Sequence, residues 1–168
     1  MRVMVCIAIL LAVAGCGYRP VGSGGVSALQ PSVKTIGIGT LKNRTLRPTI
    51  LPALKDALVR RFAAEGRIRV VEEGADVLLD GTIDGFGEEP LAFTKNDTAN
   101  RLRLNISFSF TVKDRLEETV FLRDGVTGVA FYFTGTGISE TRAAEDEATF
   151  RAIVDVAEQV VSRVLDGV

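Results

Sequence analysis

The sequence predicts an α+β fold: a two-layer sandwich in which a mixed or antiparallel sheet of four to five strands carries two helices on one face. Three observations predict it. From Arg101 to Val112 every even position is apolar and every odd one polar, the pattern of a strand with one face on a core and the other in water. Two other segments repeat apolar residues at helical spacing. Short extended runs separate them, and a sheet with one apolar face has to collect both helices on that face.

In chain order, Val33 to Ile38 reads as a short strand, and Asn43 to Pro48 as a turn region. A helix follows from about Thr49, with Pro52 tolerated in its first turn. Leu51, Leu54, Leu58 and Phe62 form one apolar stripe on it, Lys55, Arg60 and Arg61 lie off the stripe, and Gly66 stops it. Ile68 to Val71 is a second strand, parallel to the first because a helix joins them. Asp76 to Phe86 is a third, with Val77, Leu79, Gly81 and Ile83 on one face and Asp76, Asp80, Thr82 and Asp84 on the other. The alternating strand comes next. Its six apolar side chains are worth on the order of 10 kcal/mol on burial, before entropy is subtracted. If residues 88 to 100 close a hairpin, Asp84 can sit opposite Arg103. Thr119 to Phe133 stays extended, with a turn or bulge expected at Asp124-Gly125 and Gly128. A helix from about Thr141 to Leu165 ends the chain; its expected stripe is Phe150, Ile153, Val154, Ala157, Val160, Val161 and Val164.

The N-terminus carries an address. Arg2, an apolar run from Val3 to Val13 and the small residues Ala14-Gly15 read as an export signal, and the run is too short to span a bilayer. Val13-Ala14-Gly15-Cys16 resembles the lipobox of bacterial lipoprotein signals. The expected organisation is a cleaved signal over residues 1–15, a lipidated Cys16 with a Gly- and Ser-rich tether through residue 32, and one domain over residues 33–168. Acyl chains on Cys16 would anchor the domain to a membrane on its periplasmic side. Gly17, where an aspartate would retain a lipoprotein at the inner membrane, points to the outer membrane.

Composition removes most chemistry. The chain has no histidine, and its two cysteines are Cys6, inside the leader, and Cys16. No Ser-His-Asp or Cys-His arrangement and no His/Cys zinc site can be assembled, so neither catalysis nor a metal or other cofactor is expected. Twenty basic residues against 21 acidic ones give a net charge of −1, which offers no electrostatic basis for nucleic-acid binding. Gly37-Ile38-Gly39 lacks the rest of a nucleotide loop and reads as a turn. Asp76, Asp80 and Asp84 share a strand face and could hold a cation, but carboxylates spread along one strand do not converge as a calcium loop does, and a solvated face is the better reading. Lys95, Arg101 and Arg103, with Leu91 and Phe93 nearby, are the candidate ligand-binding residues. Guanidinium forks match phosphate oxygens, which suits a phosphorylated amphiphile; the competing reading is an ordinary solvated sheet edge.

Gly15-Cys16-Gly17-Tyr18, Val33-Lys34-Thr35-Ile36 with Asn43-Arg44-Thr45 downstream, Arg67-Ile68-Arg69-Val70-Val71, Ala75-Asp76 and Leu79-Asp80-Gly81-Thr82-Ile83 together resemble, in order and spacing, the LptE family of lipopolysaccharide-assembly lipoproteins. The resemblance implies a two-layer α/β domain that plugs an outer-membrane β-barrel translocon of the LptD type, assists its assembly and contacts lipopolysaccharide. It brings no catalytic residues. The alternative is a lipid-anchored periplasmic adaptor of another envelope secretion or efflux assembly.

Overall fold

The computed structural model describes residues 29, 32–93 and 99–167. The elements are β1 (Thr35–Asn43), α1 (Ile50–Glu65), β2 (Arg69–Val70), β3 (Val77–Phe93), β4 (Ala99–Asp114), β5 (Val120–Phe133) and α2 (Ile138–Asp166). The strands form one mixed sheet in the order β2-β1-β3-β4-β5. β1 runs parallel to β2 and β3, whereas β3–β4 and β4–β5 are antiparallel. This is the expected α+β sandwich, with five strands.

Burial follows the sequence periods. Leu104, Ile106, Phe108, Phe110 and Val112 of β4 are buried, as are Val77, Leu79 and Ile83 of β3, and the ladder sets Leu79 against Val112 and Ile83 against Phe108. Ile50, Leu54, Ala57, Leu58 and Phe62 of α1 close the core from above. Gly66 ends α1 with φ 71°, a left-handed conformation that costs glycine nothing. Only Leu51 of the expected stripe stays partly exposed.

Four expectations need correction. Gly37-Ile38-Gly39 lies inside β1 and is not a turn. The pairing to β3 skips between Ile38 and Leu41, a bulge in which the Thr40 N–H donates to the Asp80 carboxylate at 2.7 Å. Gly39 leaves that carboxylate room, since a Cβ there would displace it from its place over the bulge. Second, β5 runs unbroken through Asp124-Gly125 and Gly128, all three paired to β4. Gly128 serves contact with the helix: a Cβ on it would overlap the Ala152 carbonyl oxygen of α2. Third, Phe150 is 51% exposed. The buried line on α2 is Ala148, Ala152, Val156, Val160 and Val164; two residues along a helix turn it by about 200°, which points Phe150 away from that line. Fourth, Asp84 does not oppose Arg103. It falls at a register skip between Ile83 and Gly85, Arg103 pairs with Glu89, and Asp84 meets Arg44 at 3.3 Å instead.

Candidate functional site

The outer face of the sheet is made by the residues that alternate with the core. Down its middle run small and hydroxylated groups: Gly85, Gly87, Asn105, Ser107, Ser109, Gly125 and Thr127 lie side by side in register. Ser107 and Thr127 place their hydroxyls 3.5 Å apart. Toward the β4–β5 turn a shallow hollow of about 480 Å³ is lined by Thr40, Lys42, Asp80, Ser109, Thr111 and Arg123. Lys113 bonds Asp80 at 3.1 Å, and that carboxylate holds the lysine pKa above its ordinary value.

The opposite end of this face, where β4 begins and β5 ends, has another character. Arg101 pairs across the ladder with Phe133, and Arg103 with Phe131. The Arg101 guanidinium lies 5.2 Å from the Phe131 ring centre and 5.7 Å from that of Phe133, within cation–π range. Phe131 is 44% and Phe133 64% exposed, and Leu91 on β3, on the far side of β4, is also exposed. Many arginines elsewhere are tied down: Arg44 to Asp84, Arg47 to Glu145, Arg67 to Asp166 and Arg163 to Asp124. Among the described residues Arg101 and Arg103 join no ion pair. Lys95 and Cys16 lie outside the described residues, so the structure brings together two of the three expected ligand-binding residues.

This end is braced from behind. Tyr132, buried between the two exposed phenylalanines in sequence, donates its hydroxyl to Glu88 on β3 at 2.6 Å. Desolvation first, and then the bonded Glu88 carboxylate, push its pKa up, so it remains a donor. Arg47, from the loop before α1, stacks over Phe86 at 4.5 Å and also pairs with Glu145 of α2. Sequence reasoning missed Phe131 and Phe133; a strict count of alternation around Tyr132 would have marked both as outward-facing.

The three aspartates do not form a site. Asp76 accepts the N–H groups of Lys34 and Thr35, both at 2.9 Å, which lowers its pKa. Asp80 holds the β1 bulge and Lys113, and Asp84 meets Arg44. Each carboxylate points to its own neighbour, and no acidic cluster suited to a cation occurs among the described residues.

Comparison with known proteins gives the fold a family. The family model for LptE, lipopolysaccharide-assembly, matches residues 33–164. No curated protein matches the chain. Among solved structures, protein XCC0632 from Xanthomonas campestris is 15% identical over 82% of this chain and 90% of its own, with a TM-score of 0.58. Lipoprotein B from Nitrosomonas europaea is 15% identical over 82% and 88%, at 0.54. A minor lipoprotein from Acinetobacter baumannii is 13% identical over 79% and 90%, at 0.52. At such identities these structures speak for the fold alone; the family match covers most of the chain, which belongs to the LptE lipopolysaccharide-assembly family.

Proposed function

We propose that this protein is an outer-membrane lipoprotein, anchored through Cys16, that plugs an LptD-type β-barrel, assists its assembly and contacts lipopolysaccharide in transit. It acts by binding, and no residue is assigned a catalytic role. One observation carries the reading: in a chain of this family, Arg101 and Arg103 join no ion pair among the described residues and stand beside exposed Phe131 and Phe133 at one end of a polar sheet face. A phosphorylated lipid offers what such a surface lacks. Its phosphates suit the guanidinium forks, and its acyl chains suit the exposed rings and Leu91. Lys95, six residues before Arg101 in the sequence, is the third cation in this reading. The hydroxylated remainder of the face suits the polar interior of a barrel.

Reversing charge at both arginines (Arg101→Glu with Arg103→Glu) is expected to weaken lipopolysaccharide binding about tenfold or more, since hydrogen bonds to charged groups contribute about 1.5–3 kcal/mol each. The salt dependence of binding flattens at the same time. Titration of labelled lipopolysaccharide at two ionic strengths checks this, and unchanged affinity rejects the phosphate grip. Recovery of a large β-barrel after gentle detergent extraction tests the plug, and its absence from every preparation rejects that role. Cys16→Ala is expected to leave an uncleaved precursor in the inner membrane; mass spectrometry that finds a normally processed, unacylated chain would reject the anchor.

A further inference from the structure

The two edges of the sheet are treated differently. β5 is one edge, and α2 lies along it with three side chains at four-residue spacing. Arg151 donates to the Phe131 carbonyl at 2.8 Å, Asp155 accepts the Val129 N–H at 2.8 Å, and Gln159 donates to the Thr127 carbonyl at 3.0 Å. These are successive outward-facing backbone groups of the edge, so helix side chains stand where a sixth strand would bond. Strand addition at β5 is blocked over this stretch.

The other edge is open. β2 pairs with β1 only at Thr35 and Ile36, although β1 continues to Asn43. The Val71 N–H bonds the Ile36 carbonyl, and the Arg44 N–H bonds Ile83 of β3. With the intervening bulge, the backbone groups of Ile38 and Leu41 face the side that β2 has left, and no described strand lies there. Between this edge and α1 runs a groove of about 890 Å³, lined on its apolar side by Ile38, Val59, Ala63, Ile68, Val70 and Val71. Lys55 and Arg69 stand at its rim with Glu72, and none of the three joins an ion pair among the described residues.

We propose that the free edge of β1 is a strand-addition site for an extended segment of another polypeptide, alternating apolar residues with carboxylates. Main-chain bonds to Ile38 and Leu41 would give affinity, and alternate side chains reaching the groove would give specificity. The rim carries two cations, neither in an ion pair among the described residues, against the single acid Glu72, with Asp76 near Arg69; that balance favours an acidic occupant. The tether of this chain fits poorly, because residues 17–28 include Gly22-Ser23-Gly24-Gly25 and carry Arg19 as their only charge. The site lies apart from Arg101 and Arg103, so the proposal stands or falls independently of lipid binding.

The test uses the full chain in detergent and two synthetic decapeptides, one alternating valine with glutamate and threonine, the other with lysine in place of glutamate. Backbone amide exchange is read residue by residue. The acidic peptide is expected to slow exchange at Ile38 and Leu41 about tenfold or more, with Val129 unchanged; the lysine peptide is expected to leave both fast. Lys55→Glu with Arg69→Glu should reverse the preference between the peptides, and Ala63→Trp, which fills the groove, should abolish protection by either. The charge-reversal pair lies on the surface and keeps the test decisive if the tryptophan variant folds poorly. Exchange unmoved by both peptides overturns the proposal, and equal protection by both overturns the acidic occupant. Protection present without peptide and lost on deletion of residues 17–28 assigns the edge to the tether and also overturns it.

Discussion

Replacing Phe108 with alanine is expected to destabilise the domain by about 3–5 kcal/mol, a large share of the stability of a domain this size. The ring is 1% exposed and stacks on Phe110 with centroids 6.1 Å apart and planes 10° from parallel. It also covers the bare backbone of Gly81 on β3, where a Cβ would run into the end of the ring. Truncation therefore removes the contacts with both Phe110 and Gly81 inside the core. Ser107, one residue away on the wet face, is expected to tolerate alanine at well under about 1 kcal/mol. Midpoints of urea unfolding compare the two, and equal shifts would show that the strand or its orientation is misassigned. The glycine supplies a second check. Gly81→Val should be severe in the native background yet partly fill the hole left by Phe108→Ala, so the double variant should be more stable than the summed single effects by about 1 kcal/mol.

The second large effect is expected at Gly128. A valine there must push the backbone of α2 away, because the obstacle is the Ala152 carbonyl oxygen, with Val156 behind it, and neither is a flexible side-chain end. The expected cost is about 3 kcal/mol or more. Gly125, three residues earlier on β5, is the matched control. A Cβ there meets only the Phe108 carbonyl at 3.8 Å, an ordinary contact. Gly125→Val should change stability by less than about 1 kcal/mol, with strand propensity in its favour. Thermal unfolding of the two variants separates them, and similar behaviour would mean that α2 does not ride against Gly128.

Legibility in the sequence followed what each residue has to satisfy. β4 could be read residue by residue because a register slip of one would bury Arg101, Arg103 and Asn105, so its pattern admits one solution. α1 was legible because its stripe and its terminating Gly66 agree. Gly37, Gly39, Gly125 and Gly128 misled, since a glycine is written alike for a turn and for a neighbour that comes too close. In this fold the neighbour is the reason at Gly128, where it is helix backbone. Phe150 misled because the apolar period of α2 admits more than one face, and which face meets the sheet is settled by Ala152 and Val156, which lie against Gly128. Within the candidate site, the arginines were visible as cations on an alternating strand. Their aromatic neighbours were not, because that pairing depends on the register between β4 and β5, which no local pattern encodes.

The side chains of Arg151, Asp155 and Gln159 that occupy the β5 edge also impose an order of events. α2 follows β5 in the chain, so a polypeptide that emerges from its amino end completes the sheet while that edge is still bare. Until the residues of α2 arrive and dock, β5 presents open carbonyl and amide groups to any other nascent copy. The carboxyl-terminal helix is thus a built-in chaperone that arrives late. The interval before its arrival is when the molecule is most prone to associate with itself, and chains cut short before α2 should gather into β-rich aggregates even though every strand of the sheet is present.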